Sequence, residues 1–96
     1  MSESAPLWRH LVGERLRELR HSRGETLQTV ARRASVSPQY LSEVERGSKE
    51  PSSEMLAAIG ASLDTTLLDL TRAVADRLQV DDAQAVSGRS DVMLAA

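Results

Sequence analysis

Apolar side chains recur at Leu7, Trp8, Leu11, Val12, Leu16 and Leu19, and this spacing of three and four places them on one face of a helix from Leu7 to about Ser22. Arg23-Gly24 ends it. Thr26 offers a side-chain cap for a short second helix, in which Leu27, Val30, Ala31 and Ala34 share a face while Gln28, Thr29, Arg32 and Arg33 look outward. In Ser35-Val36-Ser37-Pro38, Ser37 is placed as the next cap and Pro38 as the first helical residue, where the N–H that proline lacks would have had no partner. The third helix therefore spans about Pro38 to Arg46 and stops at Gly47. Beyond the loop Ser48-Lys49-Glu50-Pro51, Ser52 or Ser53 caps a fourth helix with Met55, Leu56, Ile59 and Leu63 inward. Asp64-Thr65-Thr66 opens a fifth, whose stripe of Leu67, Leu70, Val74 and Leu78 persists to about Gln79.

That last stripe is longer than a small helical core needs, so Leu67, Leu70, Val74 and Leu78 are expected to meet a second copy of the chain. From Val80 onward, Asp81-Asp82 and Ser87-Gly88-Arg89-Ser90-Asp91 break the periodicity, and a flexible tail over 80–96 is expected, as is a flexible N-terminus over 1–6. With 96 residues in all, one domain over 7–79 accounts for the pattern. Aromatic residues are 2% of the chain, so the core must be built of Leu, Val, Ile, Met and Ala, which favours an all-α fold. Cysteine is absent; this removes disulfides, thiolate metal sites and a thiol nucleophile, and fits a cytoplasmic protein. No apolar run approaches the roughly 20 residues of a membrane span, so no membrane partner is expected.

A net charge of −2 is a poor advertisement for nucleic-acid binding. The distribution changes the picture: residues 1–49 hold nine basic and six acidic side chains, and the remaining residues three and eight. Two short helices joined by a tight turn are the reading unit of helix-turn-helix proteins, whose second helix lies in the major groove of duplex DNA. At about 100° per residue, Leu41, Val44 and Glu45 fall on the core side of the third helix, and Gln39, Ser42, Glu43 and Arg46 on the other. Gln pairs well with adenine, Glu accepts from cytosine N4 and Ser serves either role. Gln39 and Glu43 are therefore the expected base readers, with Ser42 as a weaker one and Tyr40 on the flank, within reach of a thymine methyl or a phosphate. Arg32, Arg46 and Lys49 gather at one edge as phosphate contacts, joined by Ser37 and, at the start of the second helix, by Thr26, Gln28 or its backbone N–H groups. Arg9, Arg15, Arg17, Arg23, Arg72 and Arg77 are expected to be merely solvated.

Catalysis and cofactors find little footing. The histidines at positions 10 and 21 lie about 16 Å apart along one helix, too far to share a metal. The glycines are isolated and cradle no phosphate, and no Ser, His and acid grouping has an evident pocket. Neither an enzyme nor a metal or other cofactor is expected.

The run from Val12 to Leu70, with Ala31 inside the second helix, Val36 to Gly47 as the turn and third helix, and Lys49 and Pro51 in the following loop, resembles the Cro/C1-type helix-turn-helix family. The likeness covers about two thirds of the chain, and with the short C-terminal extension the chain is similar, more narrowly, to the Clp-protease gene regulators of actinobacteria. It implies a lambda-repressor-like five-helix domain with an extended last helix. It also implies a homodimer on a pseudo-palindromic operator and an activator of Clp-protease and stress genes, with RNA polymerase as a partner. Arg20 matches the family arginine that pairs with Glu45, which accounts for an acid on the core side of the third helix. Leu27 and Pro38 depart from the family's pattern, in which polar residues at those places hold a phosphate and read a base. The terminus Leu94-Ala95-Ala96 resembles a degradation tag read by the Clp protease. Other readings left open are a phage-type or antitoxin-type repressor and a helical adaptor that does not bind DNA.

Overall fold

The computed structural model describes residues 7–85, with side chains as far as Gln79. It contains five helices: α1 (Trp8–Ser22), α2 (Leu27–Ala34), α3 (Pro38–Glu45), α4 (Ser53–Ser62) and α5 (Leu67–Ala85). The five-helix, all-α architecture read from the periodicity is the one observed, with no strand among the described residues. Four of the helices begin at a hydroxyl cap. Thr26, Ser37, Ser52 and Thr66 accept hydrogen bonds from the backbone N–H of Thr29, Tyr40, Met55 and Asp69 at 3.1, 3.0, 3.1 and 2.9 Å, each satisfying a donor that the first turn leaves free. Of the two serines that could cap α4, Ser52 does so.

The first four helices all end by the same device. Gly24, Ser35, Gly47 and Asp64 take left-handed φ values of 64°, 60°, 78° and 59°. The next residue then returns an N–H to a carbonyl of the last turn, from Glu25 to Arg20, Val36 to Ala31, Ser48 to Glu43 and Thr65 to Gly60. Sequence reading finds the two glycines but not Ser35 or Asp64, since a residue with a Cβ is strained there by about 1–2 kcal/mol. At Asp64 the conformation also brings the carboxylate to 2.8 Å from Arg23.

The core joins Leu11, Val12 and Leu16 of α1 to Val30, Ala31 and Ala34 of α2, Leu41 and Val44 of α3, Leu56, Ile59 and Leu63 from α4 and its cap, and Leu70 and Val74 of α5. α1 and α5 run antiparallel: Asp64, just before α5, meets Arg23, just after α1, whereas Arg77 reaches back to Glu14 and Glu18 at 2.8 and 3.0 Å. Gly13 lets α1 lie directly on the end of α3, because a methyl group there would overlap the backbone carbonyl oxygens of Val44 and Glu45.

Two expectations for α5 are corrected. Leu70 and Val74 are each 1% exposed and spend their surface on the core of their own protomer, so neither can face a second copy; Leu67 and Leu78 pack at the core's rim, half-buried. The helix also continues past Gln79 to Ala85. Asp81-Asp82 does not break it, because the segment holds neither Gly nor Pro and Asp inside a helix costs at most about 0.7 kcal/mol. The expected flexible N-terminus over 1–6 and the expected degradation tag Leu94-Ala95-Ala96 lie outside the described residues.

Candidate nucleic-acid interface

α2, the turn Ser35 to Ser37 and α3 form the helix-turn-helix unit, and α1 is its buttress. Arg20, from the last turn of α1, grips Glu45 through two parallel hydrogen bonds, Nε to Oε2 at 2.8 Å and Nη2 to Oε1 at 3.0 Å. Its third nitrogen, Nη1, donates to the carbonyl oxygen of Glu25 at 3.1 Å. Side-chain exposure is 6% for Glu45 and 13% for Arg20. A charge-assisted fork in so dry a place fixes orientation as well as distance, and hydrogen bonding to Glu45 holds the guanidinium still more firmly protonated than usual. From the first turn of α1, Arg9 Nε donates to Gly47 O at 2.8 Å, and His10 packs so close to Gly47 that no side chain could stand there. The C-terminal half of α3 is thus fixed by α1 through Arg9, Gly13 and Arg20.

This leaves the opposite side of α3 outward. Gln39 and Arg46 are exposed, Ser42, Glu43 and Tyr40 partly so. Arg46 Nη1 donates to Ser42 Oγ at 2.6 Å, and Lys49 Nζ stands 4.0 Å from the Glu43 carboxylate. Arg46, Ser42, Glu43 and Lys49 therefore form one connected polar surface, with Gln39 exposed in the first turn of the same helix. Tyr40 packs its ring against the core edge. Gln28 and Arg32 are exposed on α2. Thr26 and Ser37, expected at the DNA backbone, are both engaged as caps; the Thr26 hydroxyl in addition donates to Thr29 Oγ1 at 2.9 Å, so its side chain has no hydrogen left for a phosphate. The donors available at that end of α2 are backbone N–H groups and the side-chain amide of exposed Gln28.

The arginines expected to be merely solvated divide. Arg9 is spent on Gly47 and Arg15 lies 3.5 Å from Glu18. Arg23 bridges Glu25 and Asp64 at 3.0 and 2.8 Å, and Arg77 bridges Glu14 and Glu18. Arg33, placed on the outer face of α2 by periodicity, turns instead to Glu25 and to the carbonyl oxygen of Ser62, tying α2 to α4. Glu25, hydrogen-bonded first by Arg33 and then by Arg23, has its carboxyl pKa pulled down to about 2. The functional role that sequence reading missed most completely is that of Gly13. A glycine in mid-helix, where it costs about 1 kcal/mol relative to alanine, was the available signal. Among the described residues no group of three or more His, Asp or Glu side chains could hold a metal ion, and no helix is long and apolar enough to cross a membrane.

A family model described as a helix-turn-helix domain matches residues 11–74. The chain belongs to the helix-turn-helix family. Among curated relatives of this helix-turn-helix protein is the transcriptional regulator ClgR of Mycobacterium tuberculosis (strain H37Rv), 54% identical over 63 residues that make up 66% of this chain and 56% of that protein. The HTH-type transcriptional regulator DdrOP3 of Deinococcus deserti is 44% identical over 61 residues, 64% of this chain and 47% of its own. The chain thus spans about half the length of these relatives. The crystal structure of the clp gene regulator ClgR from Corynebacterium glutamicum superposes with a TM-score of 0.77 at 40% identity, covering 90% of this chain and 92% of that one. The restriction-modification controller protein C.AhdI from Aeromonas hydrophila gives 0.62 at 31% identity, covering 65% and 94%. The helix-turn-helix unit lies within the family match, as do Gly13 and the Arg20–Glu45 pair, whereas Arg9 and His10 stand just before it.

Proposed function

We propose that this helix-turn-helix protein is a sequence-specific DNA-binding regulator of transcription, in which α3 enters the major groove and α2 crosses the backbone. The observation that carries the reading is the outward polar face of α3 held rigid from behind by the Arg20–Glu45 fork. In the groove, Gln39 and Glu43 read base edges with Ser42 assisting, and Tyr40 contacts the flank. Gln28, Arg32, Arg46, Lys49, the Ser37 hydroxyl and the N–H groups opening α2 contact phosphates. The gene target is the set encoding Clp protease and stress functions, a reading supported by the relatives named as ClgR and clp gene regulator. Its sign is activation, with RNA polymerase as partner, as the family resemblance implies.

The protein acts as a homodimer in the cytoplasm. A single reading helix buries too little surface for specific recognition, and two copies related by a two-fold axis meet half-sites about one DNA turn apart. The seam lies on α5, where Leu68 is 59% exposed and Leu67 and Leu78 are half-buried at the rim of the core.

Fluorescence anisotropy of a labelled random duplex, titrated with the full chain in low and high KCl, tests the reading. Affinity that falls steeply with salt supports it. Absence of salt-sensitive binding makes the protein a helical adaptor instead.

A further inference from the structure

Between the C-terminal halves of α1 and α3 lies an open cleft of about 300 Å³ lined by Arg17, Arg20, Ser42, Glu45 and Arg46. Glu45 is neutralised there by Arg20 and Ser42 accepts from Arg46, which leaves the walls with two uncompensated positive charges, on Arg17 and Arg46. The contrast with the rest of the surface is informative. Arg15, Arg20, Arg23, Arg33 and Arg77 all meet carboxylates and Arg9 is spent on a carbonyl; of the arginines without an ion pair among the described residues, Arg17, Arg32, Arg46 and Arg72, it is Arg17 and Arg46 that line the cleft. Like charges facing one cleft repel unless an anion comes between them, and a guanidinium fork suits the two free oxygens of a phosphate.

The geometry points to a phosphate site in this cleft, at which Arg17, reaching from α1, joins Arg46 in holding a backbone phosphodiester of the duplex read by α3. The inference rests on the DNA-binding reading and extends it. It takes Arg17 out of the solvated class and adds a contact from α1 at the C-terminal end of α3, where Arg20 joins Glu45 to the carbonyl oxygen of Glu25 just before α2. Two arginines from different helices on one phosphodiester orient α3 in the groove more firmly than Arg46 alone.

The full chain and its R17Q and R72Q variants separate the possibilities. Arg72 is an exposed arginine on α5, also without an ion pair among the described residues and outside the cleft, so it controls for net charge. Losing one phosphate contact lowers the slope of log affinity against log salt by about 0.9, so that over a four-fold rise in salt R17Q sheds about 3.5-fold less affinity than the parent; R72Q keeps the parental slope. A parental slope in R17Q, or equal losses in both variants, overturns the site. If the parent itself shows no salt-sensitive binding, the DNA-binding reading has failed and this site with it. In a parallel arm, the Arg17 side-chain Nε–H resonance is followed by NMR against the duplex and against inorganic phosphate alone. A shift saturating with duplex is expected; a shift saturating only with inorganic phosphate assigns the cleft to a free anion and overturns the DNA assignment. Thermal midpoints of R17Q and the parent should agree, since Arg17 is exposed and makes no ion pair.

Discussion

Glu45 is an acid on the side of α3 that faces protein, and its cost is offset only because Arg20 meets both of its oxygens. Removing one member of such a pair leaves the other charge desolvated and alone, which costs about 3–5 kcal/mol where burial is complete. Glu45→Ala should therefore lose about 3 kcal/mol in urea denaturation, and the Arg20→Ala, Glu45→Ala double variant should lose clearly less than the sum of the two single losses. Gly13 makes a sharper residue-scale claim. Gly13→Ala improves helix propensity by about 1 kcal/mol but drives a methyl group into carbonyl oxygens that cannot rotate away. A net loss of about 1–3 kcal/mol is expected, read as a fall of several degrees in thermal midpoint, together with weakened duplex binding because α3 is displaced.

At the scale of the element, the helix starts were written openly: each hydroxyl cap stands directly before an apolar periodic run. The ends were legible where glycine marked them, at Gly24 and Gly47, and illegible at Ser35 and Asp64, where the chain accepts left-handed strain that composition does not announce. Ser35→Gly should accordingly stabilise the protein by about 0.5–1 kcal/mol despite the extra freedom it gives the unfolded chain, measurable as a raised denaturation midpoint. Charge pairing across elements was equally hidden. Periodicity says which face Arg33 and Arg23 occupy, but not that Glu25 lies between them. That pair of contacts depresses the Glu25 pKa to about 2, below the ordinary unfolded value of about 4.3. The stabilisation is therefore fully present above the unfolded pKa and is lost as pH falls through the folded one. The stability difference between the parent and Glu25→Gln should shrink between pH 5 and pH 2; a gap that stays constant over that range would show that the carboxylate's charge contributes nothing.

For the whole molecule, half of the apolar stripe on α5 belongs to the protomer's own core. Leu70 and Val74 close the monomer core against α1, because a helix antiparallel to α1 must bury a face of its own before it can offer one to a partner. What remains for a second copy is the rim residues Leu67 and Leu78 with exposed Leu68. Leu68→Asp should leave the fold intact, since the side chain is 59% exposed, while shifting the sedimentation profile towards monomer and weakening operator binding. The central claim is that the polar outside of α3 enters the major groove, and NMR of the 15N-labelled full chain, titrated with a duplex it has selected from a random pool, tests it most directly. The side-chain amide of Gln39 and the backbone amides of Pro38–Glu45 and the first turn of α2, proline excepted, should show the largest shifts. Shifts confined to α4 and α5, with Gln39 unmoved at saturation, would contradict it.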